Sequence, residues 1–231
     1  MTKVIAEIGQ NYNGEIKLAE NLIEEASAAG ADYAKFQLFD VDAIFSKINN
    51  PWYEYNQKNQ LTKDQYFRLV EYGLKNGIEV FASPFDIERA SWIKESGSSV
   101  VKIASRSIFD QELLEYCSSN FDTLICSLGF WDRNGYPNIE GGASVRFLYC
   151  KSEYPAIITR QELFESLSGE RISGFSDHTV GVDASLAAIS YGVDIIEKHF
   201  TLDKKMFGPD HLGSANVTDL HTICSFARYY D

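Results

Sequence analysis

Two histidines, His178 in GFSDHTVG and His199 in EKHF, lie 21 residues apart. That interval is one strand–helix–strand step, so both imidazoles can face one point. Two imidazoles with carboxylates nearby suit a divalent transition metal that keeps open positions. Two lysines suggest a second chemistry. Lys35 in YAKFQLF and Lys102 in SVVKIAS interrupt otherwise apolar runs. A lysine in such a run must be paired when buried. Two readings stand side by side: ion pairs with Glu7 or Glu197, or capture of a phosphate or carboxylate. Ser83, Ser105, Ser127 and Ser176 close similar runs. They would add neutral donors to the same anion.

Other polar residues fall at the ends of the same kind of run: Glu7, Gln37, Arg106, Lys151, Ser152, Tyr154, Asp177 and Lys198. Asp177 is expected to orient its neighbours rather than to ligate a metal. In GPDH (208–211) the Gly-Pro pair forces a turn that aims Asp210 and His211. His221 is read as structural. Trp52, Tyr53 and Tyr55 in one loop, and Trp131 and Tyr136 in another, are open between stacking on a sugar and tying the loop down.

These residues need elements to position them. Apolar runs alternate with amphipathic helical patterns along the chain. The strands are KVIAEIG, YAKFQLF, EVFASPF, SVVKIAS, TLICSLG, VRFLYCK, RISGFSD and DIIEKHFT. Helical spacing fills most of the intervals and returns in DLHTICSFARYY at the end. Thr62 caps the helix TKDQYFRLVEYGLKNG. The segment 40–61 is too long for a turn and is read as a flap. The stretch WDRNGYPNIEGGAS after strand five holds too many Gly, Pro and Asn residues for a helix. Eight strands in alternation with helices predict a TIM (β/α)8 barrel over residues 1–231, as one catalytic domain, with the helix after strand five reduced or missing. An open doubly wound sheet would want G-x-G-x-x-G after the first strand, and GQNYNG lacks that spacing. In a barrel the carboxyl ends of the strands share one rim, which is where the polar residues fall.

The bulk properties narrow the partners. The chain has 231 residues, 45% of them hydrophobic, and a net charge of -12. That length supports one well-formed core. The negative field repels nucleic acid and anionic membrane surfaces, so an anionic small molecule needs local cations. No apolar run reaches the ~18 residues of a membrane span, and no signal peptide is expected. None of the four cysteines forms a C-x-x-C pair. Cys126 and Cys150 sit in apolar runs as small buried hydrophobes, and reduced thiols make the cytoplasm the expected compartment.

Nine stretches, AEIGQNYNG, YAKFQLF, FASPFD, VKIAS, CSLG, YCKSEYP, FSDHT, EKHF and GPDHLGS, carry a resemblance in their order and spacing. The chain resembles the catalytic barrel of the sialic acid synthase family, the phosphoenolpyruvate-dependent nonulosonate synthases. The resemblance implies a transferase that condenses phosphoenolpyruvate with an N-acetylmannosamine-like aldehyde, giving a 3-deoxy nonulosonic acid and phosphate. It implies a divalent metal on His178 and His199, manganese first, with magnesium or cobalt as alternatives. Phosphoenolpyruvate contacts map onto Lys35, Ser83, Lys102, Ser105, Ser127 and Ser176. Sugar contacts map onto Glu7, Gln37, Tyr154 and Asp210. A homodimer is a further expectation. Where the family carries K-I-x-S-G-E, this chain reads Lys102-Ile103-Ala104-Ser105-Arg106-Ser107, so Ser107 replaces the family's glutamate. Ser152 replaces its asparagine. The sequence does not include the family's C-terminal antifreeze-like domain, so Arg106 or the long loop is expected to complete sugar recognition. A related synthase or lyase with another aldehyde or donor, and a non-catalytic sugar-acid-binding relative, are the alternatives.

Overall fold

A computed structural model describes residues 1–229. The alternation read from the sequence becomes a ring of eight parallel strands: β1 (Lys3–Gly9), β2 (Tyr33–Leu38), β3 (Glu79–Pro84), β4 (Val100–Ile103), β5 (Thr123–Ser127), β6 (Ser144–Cys150), β7 (Ile172–Asp177) and β8 (Ile195–His199). Ladder bonds run through β3-β2-β1-β8-β7-β6-β5-β4, and every pair is parallel. The ends of that series, β3 and β4, touch but share no ladder among the described residues, so the barrel is nearly closed.

Helices α1 (Ile16–Ala29), α4 (Lys63–Lys75), α5 (Ile87–Glu95), α6 (Gln111–Asn120), α7 (Arg160–Leu167), α8 (Asp183–Tyr191) and α9 (Val217–Tyr229) follow the strands. Local chemistry sets several starts. Thr62 and Gln65 form a capping box at α4. Asp86, Asp110 and Thr159 cap α5, α6 and α7. The expected terminal helix ran to Tyr230, which lies outside the described residues. No helix separates β5 from β6 among the described residues, as the Gly-Pro-Asn content of that stretch predicts. The segment 40–61 departs from a plain loop, because it holds the short helices α2 (Val41–Ile44) and α3 (Tyr53–Lys58). No described helix is long and apolar enough to cross a membrane.

Strand periodicity sorts the side chains into two faces. One face packs under the helices in a large apolar cluster, with Val4, Phe36, Val101, Leu124 and Ile196 among its fully buried members. The other faces the barrel axis. There Ile5, Phe81, Val100, Ile125, Leu148 and Ile195 form a separate buried plug. Two residues further along each strand the character changes to Glu7, Ser83, Lys102, Ser127, Cys150 and Glu197. The plug closes the barrel below, so this polar layer becomes the floor of a cavity open at the carboxyl ends.

Candidate active site

The floor is a closed electrostatic circuit. Lys35 Nζ on β2 lies 2.7 Å from Glu7 Oε2 on β1 and 3.1 Å from Glu197 Oε1 on β8. It also donates to Ser83 Oγ at 2.9 Å. Lys102 Nζ on β4 lies 3.1 Å from Glu197 Oε2 and donates to Ser127 Oγ at 2.6 Å. Both lysine side chains are 3% exposed, so the pairing read as one alternative in the sequence is formed. Both also line the cavity with their serines, so the paired groups remain open to it. Burial opposes ionisation of Glu197, yet Lys102 and Lys35 outweigh it and hold the carboxyl well below its usual range. Burial likewise works against the Lys35 ammonium, and Glu197 and Glu7 outweigh it, so its pKa is raised.

The histidines stand above this floor on neighbouring strands. Their ring centroids are 5.8 Å apart. The ring of Tyr154 stacks on His178 at 4.1 Å. His178 Nδ1 lies 2.9 Å from the Lys151 carbonyl, which can only accept, so Nδ1 carries the proton. Nε2 then holds the lone pair and accepts from the Tyr154 hydroxyl at 3.1 Å. His199 Nδ1 is buried without a hydrogen-bond partner among the described residues. These nitrogens fit an ion held by two protein ligands with open positions. No cluster of three His, Cys, Asp or Glu residues suited to a metal occurs among the described residues.

Close approach at the strand ends depends on two glycines. Gly9 ends β1 at φ +52°, and a Cβ there would meet Gln37 Nε2 and Glu7 Oε1 at 3.3 Å. Those two groups hydrogen-bond at 2.8 Å. A Cβ on Gly129 would sit 2.1 Å from Ser152 Oγ and 2.8 Å from Ser105 Oγ. With glycine there, the Gly129 N–H donates to Ser105 Oγ at 3.1 Å.

The cavity has a volume of about 560 Å³. All fourteen residues singled out for catalysis, substrate or metal line it: Glu7, Lys35, Gln37, Ser83, Lys102, Ser105, Arg106, Ser127, Ser152, Tyr154, Ser176, His178, His199 and Asp210. The chain belongs to the NeuB family. The family model matches residues 22–230. An N,N'-diacetyllegionaminic acid synthase of Campylobacter jejuni is 33% identical over 98% of this chain and 75% of its own length. An N-acetylneuraminate-9-phosphate synthase of Mus musculus is 28% identical over 97% and 69%. A crystal structure of N-acetylneuraminic acid synthetase from Leptospira borgpetersenii covers 99% of this chain and 83% of that one at 28% identity, with a TM-score of 0.89.

Within this NeuB barrel several expectations need correction. Lys151 and Lys198 do not face the cavity. Lys151 donates to the Ile157 carbonyl and pairs with Glu162 at 3.2 Å. Lys198 points outward and pairs with Asp177 at 3.0 Å, both fully buried. Asp177 also accepts from Thr179 and Ser185, so it braces the strand ends from behind the histidines. Strand four is shorter than SVVKIAS suggests. Ser105, Arg106 and Ser107 form a 3-10 turn, and the Ser107 side is buried away from the cavity.

The aromatics divide. Trp52 and Tyr55 line the cavity and pack with Phe207 of the β8 loop. Tyr53 instead donates to Asp42. Trp131 stacks on Phe109 and Tyr136 on Phe147, so both serve packing. His211 is buried against Thr201 Oγ1 at 2.7 Å, and only its neighbour Asp210 reaches the cavity. Cys150 was missed as a site residue. It lines the cavity 3.7 Å from His178 Nδ1. Burial pushes its thiol up, but His178, Ser105 and Lys102 together outweigh that and leave its pKa lowered. Gln10, Phe45, Phe85 and Phe130 also line the wall. Phe85, directly after β3, was detectable from its position; the others come from loops whose path the sequence does not set.

Proposed function

We propose that this chain joins C3 of phosphoenolpyruvate to the aldehyde carbon of an acylated amino sugar. One C–C bond forms, the former carbonyl oxygen takes a proton, water adds to C2 and inorganic phosphate leaves. The product is a 3-deoxy nonulosonic acid. The observation that carries this reading is the pair of buried lysines, each bound to a serine and joined through Glu197, directly beneath two histidines. Family membership supports it.

The chain's own groups would work as follows. Lys35, Lys102 and the serines hold the donor's carboxylate and phosphate and fix the attacking carbon. His178 and His199 would hold a divalent ion, manganese first, which polarises the aldehyde when bound. The Lys151 carbonyl fixes the His178 tautomer and the stacked Tyr154 ring its plane, and the Tyr154 hydroxyl would give up Nε2 to the ion. Glu197 is committed to two lysines, and Glu7 to Lys35 and Gln37. Asp210 has no ion-pair partner among the described residues, so it is the carboxylate left to move a proton. It would take over from the glutamate that Ser107 replaces. The buried free cysteines fit a reducing compartment such as the cytoplasm.

Phosphate release with phosphoenolpyruvate, manganese and a panel of aldoses tests this reading. Aldose-dependent phosphate that disappears in His178→Ala is the expected result. Manganese binding without phosphate release from any aldose would point to another aldehyde or donor, which the buried Ser107 in place of an acid favours. Absence of metal binding would remove the metal from the scheme.

A further inference from the structure

Each of the two histidines stands one residue past the last ladder pair between their strands. In that final pair Asp177 of β7 faces Lys198 of β8. Among the described residues no backbone bond joins the two strands beyond it. The backbone bonds at the histidines run to other neighbours: the Ala156 N–H donates to the His178 carbonyl, and the Ala215 N–H to the His199 carbonyl. The ladder alone therefore leaves the spacing of the two rings open. Side chains take over at this point. Lys198 Nζ pairs with Asp177 Oδ2 at 3.0 Å and donates to the Thr179 carbonyl at 2.6 Å. Asp177 Oδ1 accepts from the Thr179 N–H and from Thr179 Oγ1, each at 2.8 Å. Ser185 of α8 donates to Asp177 Oδ2 at 2.5 Å. His178 is thus gripped through the residues on both sides of it, by the residue next to His199.

We infer that Lys198 and Asp177 are positioning residues for the ion: their buried pair sets the spacing of His178 and His199, and with it the affinity for the metal. The inference rests on the reading that the two histidines hold a divalent ion. Neither side chain lines the cavity, so the pair touches neither the ion nor a substrate. As a device for stability alone it has little to offer. Two apolar side chains of similar volume often serve as well in a buried place. What they lack is the donors and acceptors that hold the Thr179 backbone. A working site needs its ligands kept within about 0.5 Å of the productive geometry, by groups that are themselves locked. The Lys151 carbonyl and the Tyr154 ring fix the tautomer and plane of His178. The distance to His199, 5.8 Å between ring centroids, is left to the strands and to the pair that clamps their ends.

The test is manganese binding by the full chain without substrate, followed through the paramagnetic resonance signal of the free ion. Lys198→Met is expected to raise the Kd by about 10- to 100-fold, the usual effect of removing a group behind a metal ligand. Leu220→Ala, a core truncation on α9 outside the cavity lining, also loosens the fold but is expected to leave the Kd within about threefold of the wild-type value. An unchanged Kd in Lys198→Met overturns the inference, and so does an equal rise in Leu220→Ala. Should Lys198→Met fail to fold, Ser185→Ala replaces it, because it removes one hydrogen bond to Asp177 and keeps the ion pair. A rise of about threefold is expected there, and no rise overturns the inference. A wild-type chain that binds no manganese removes the metal reading and this inference together, whereas wild-type binding with unmoved variants removes the inference alone.

Discussion

The floor and the rim of this cavity follow different rules. The floor is made by strands, and its charged groups satisfy one another: Lys35, Lys102, Glu7 and Glu197 are each at most 5% exposed on their side chains. The rim is made by strand ends and loops, and its groups are left with free valence: Arg106 and Asp210 on loops, and the orphan nitrogen of His199 at the end of β8. A buried ionic circuit is costly to assemble and more costly to break. It therefore ties folding and the lining of the cavity floor to the same residues. The rim carries little of the stability and is free to set reaction and specificity.

The sharpest way to break the contrast is at the floor. Glu197→Leu strands the buried Lys102 ammonium and leaves Lys35 with Glu7 alone, and should cost about 3–5 kcal/mol of stability. It should abolish activity as well, as chemical denaturation and a phosphate-release assay would show. At the rim, Asp210→Asn should lower kcat by about 10²-fold or more while changing stability by less than about 0.5 kcal/mol. A large loss of stability there would erase the distinction. His211 lies between the two zones, beneath the rim. Burial lowers its pKa below the ordinary 6.5. The unfolded chain then binds the extra proton first, so stability holds above about pH 6.5 and falls as pH drops below it. Melting temperatures from pH 7.5 to 5 should show a shallower fall in His211→Gln. The smallest effect belongs to Trp52→Ala, which removes ring contacts to Tyr55 and Phe207 and should cost about 1 kcal/mol or less.

The same division explains what the sequence discloses. Floor residues are legible because a lysine or glutamate in a run such as YAKFQLF or DIIEKHFT has few places to go. A period of two then assigns it to a face. That rule also separates neighbours. Glu197 and His199 turn inward, whereas Lys198 turns outward to Asp177. Reading every polar residue near a strand end as facing the rim misplaced Lys151 and Lys198, whereas Asp177 takes the supporting place expected of it. Phe45, Phe130 and Gln10 lie on loops, where no periodicity fixes a direction. Cys150 shows the limit from the other side: an apolar neighbourhood in sequence does not reveal that its inward face is polar.

The unpaired join between β3 and β4 bears on how the barrel holds its shape. A hoop with one open join gains from a tie across the middle. Lys35 on β2 and Lys102 on β4 stand on opposite sides of that join, and Glu197 on β8 grips both. The two lysines and Glu197 are therefore spokes. The same three side chains that floor the cavity thus also brace the wall beside the open join.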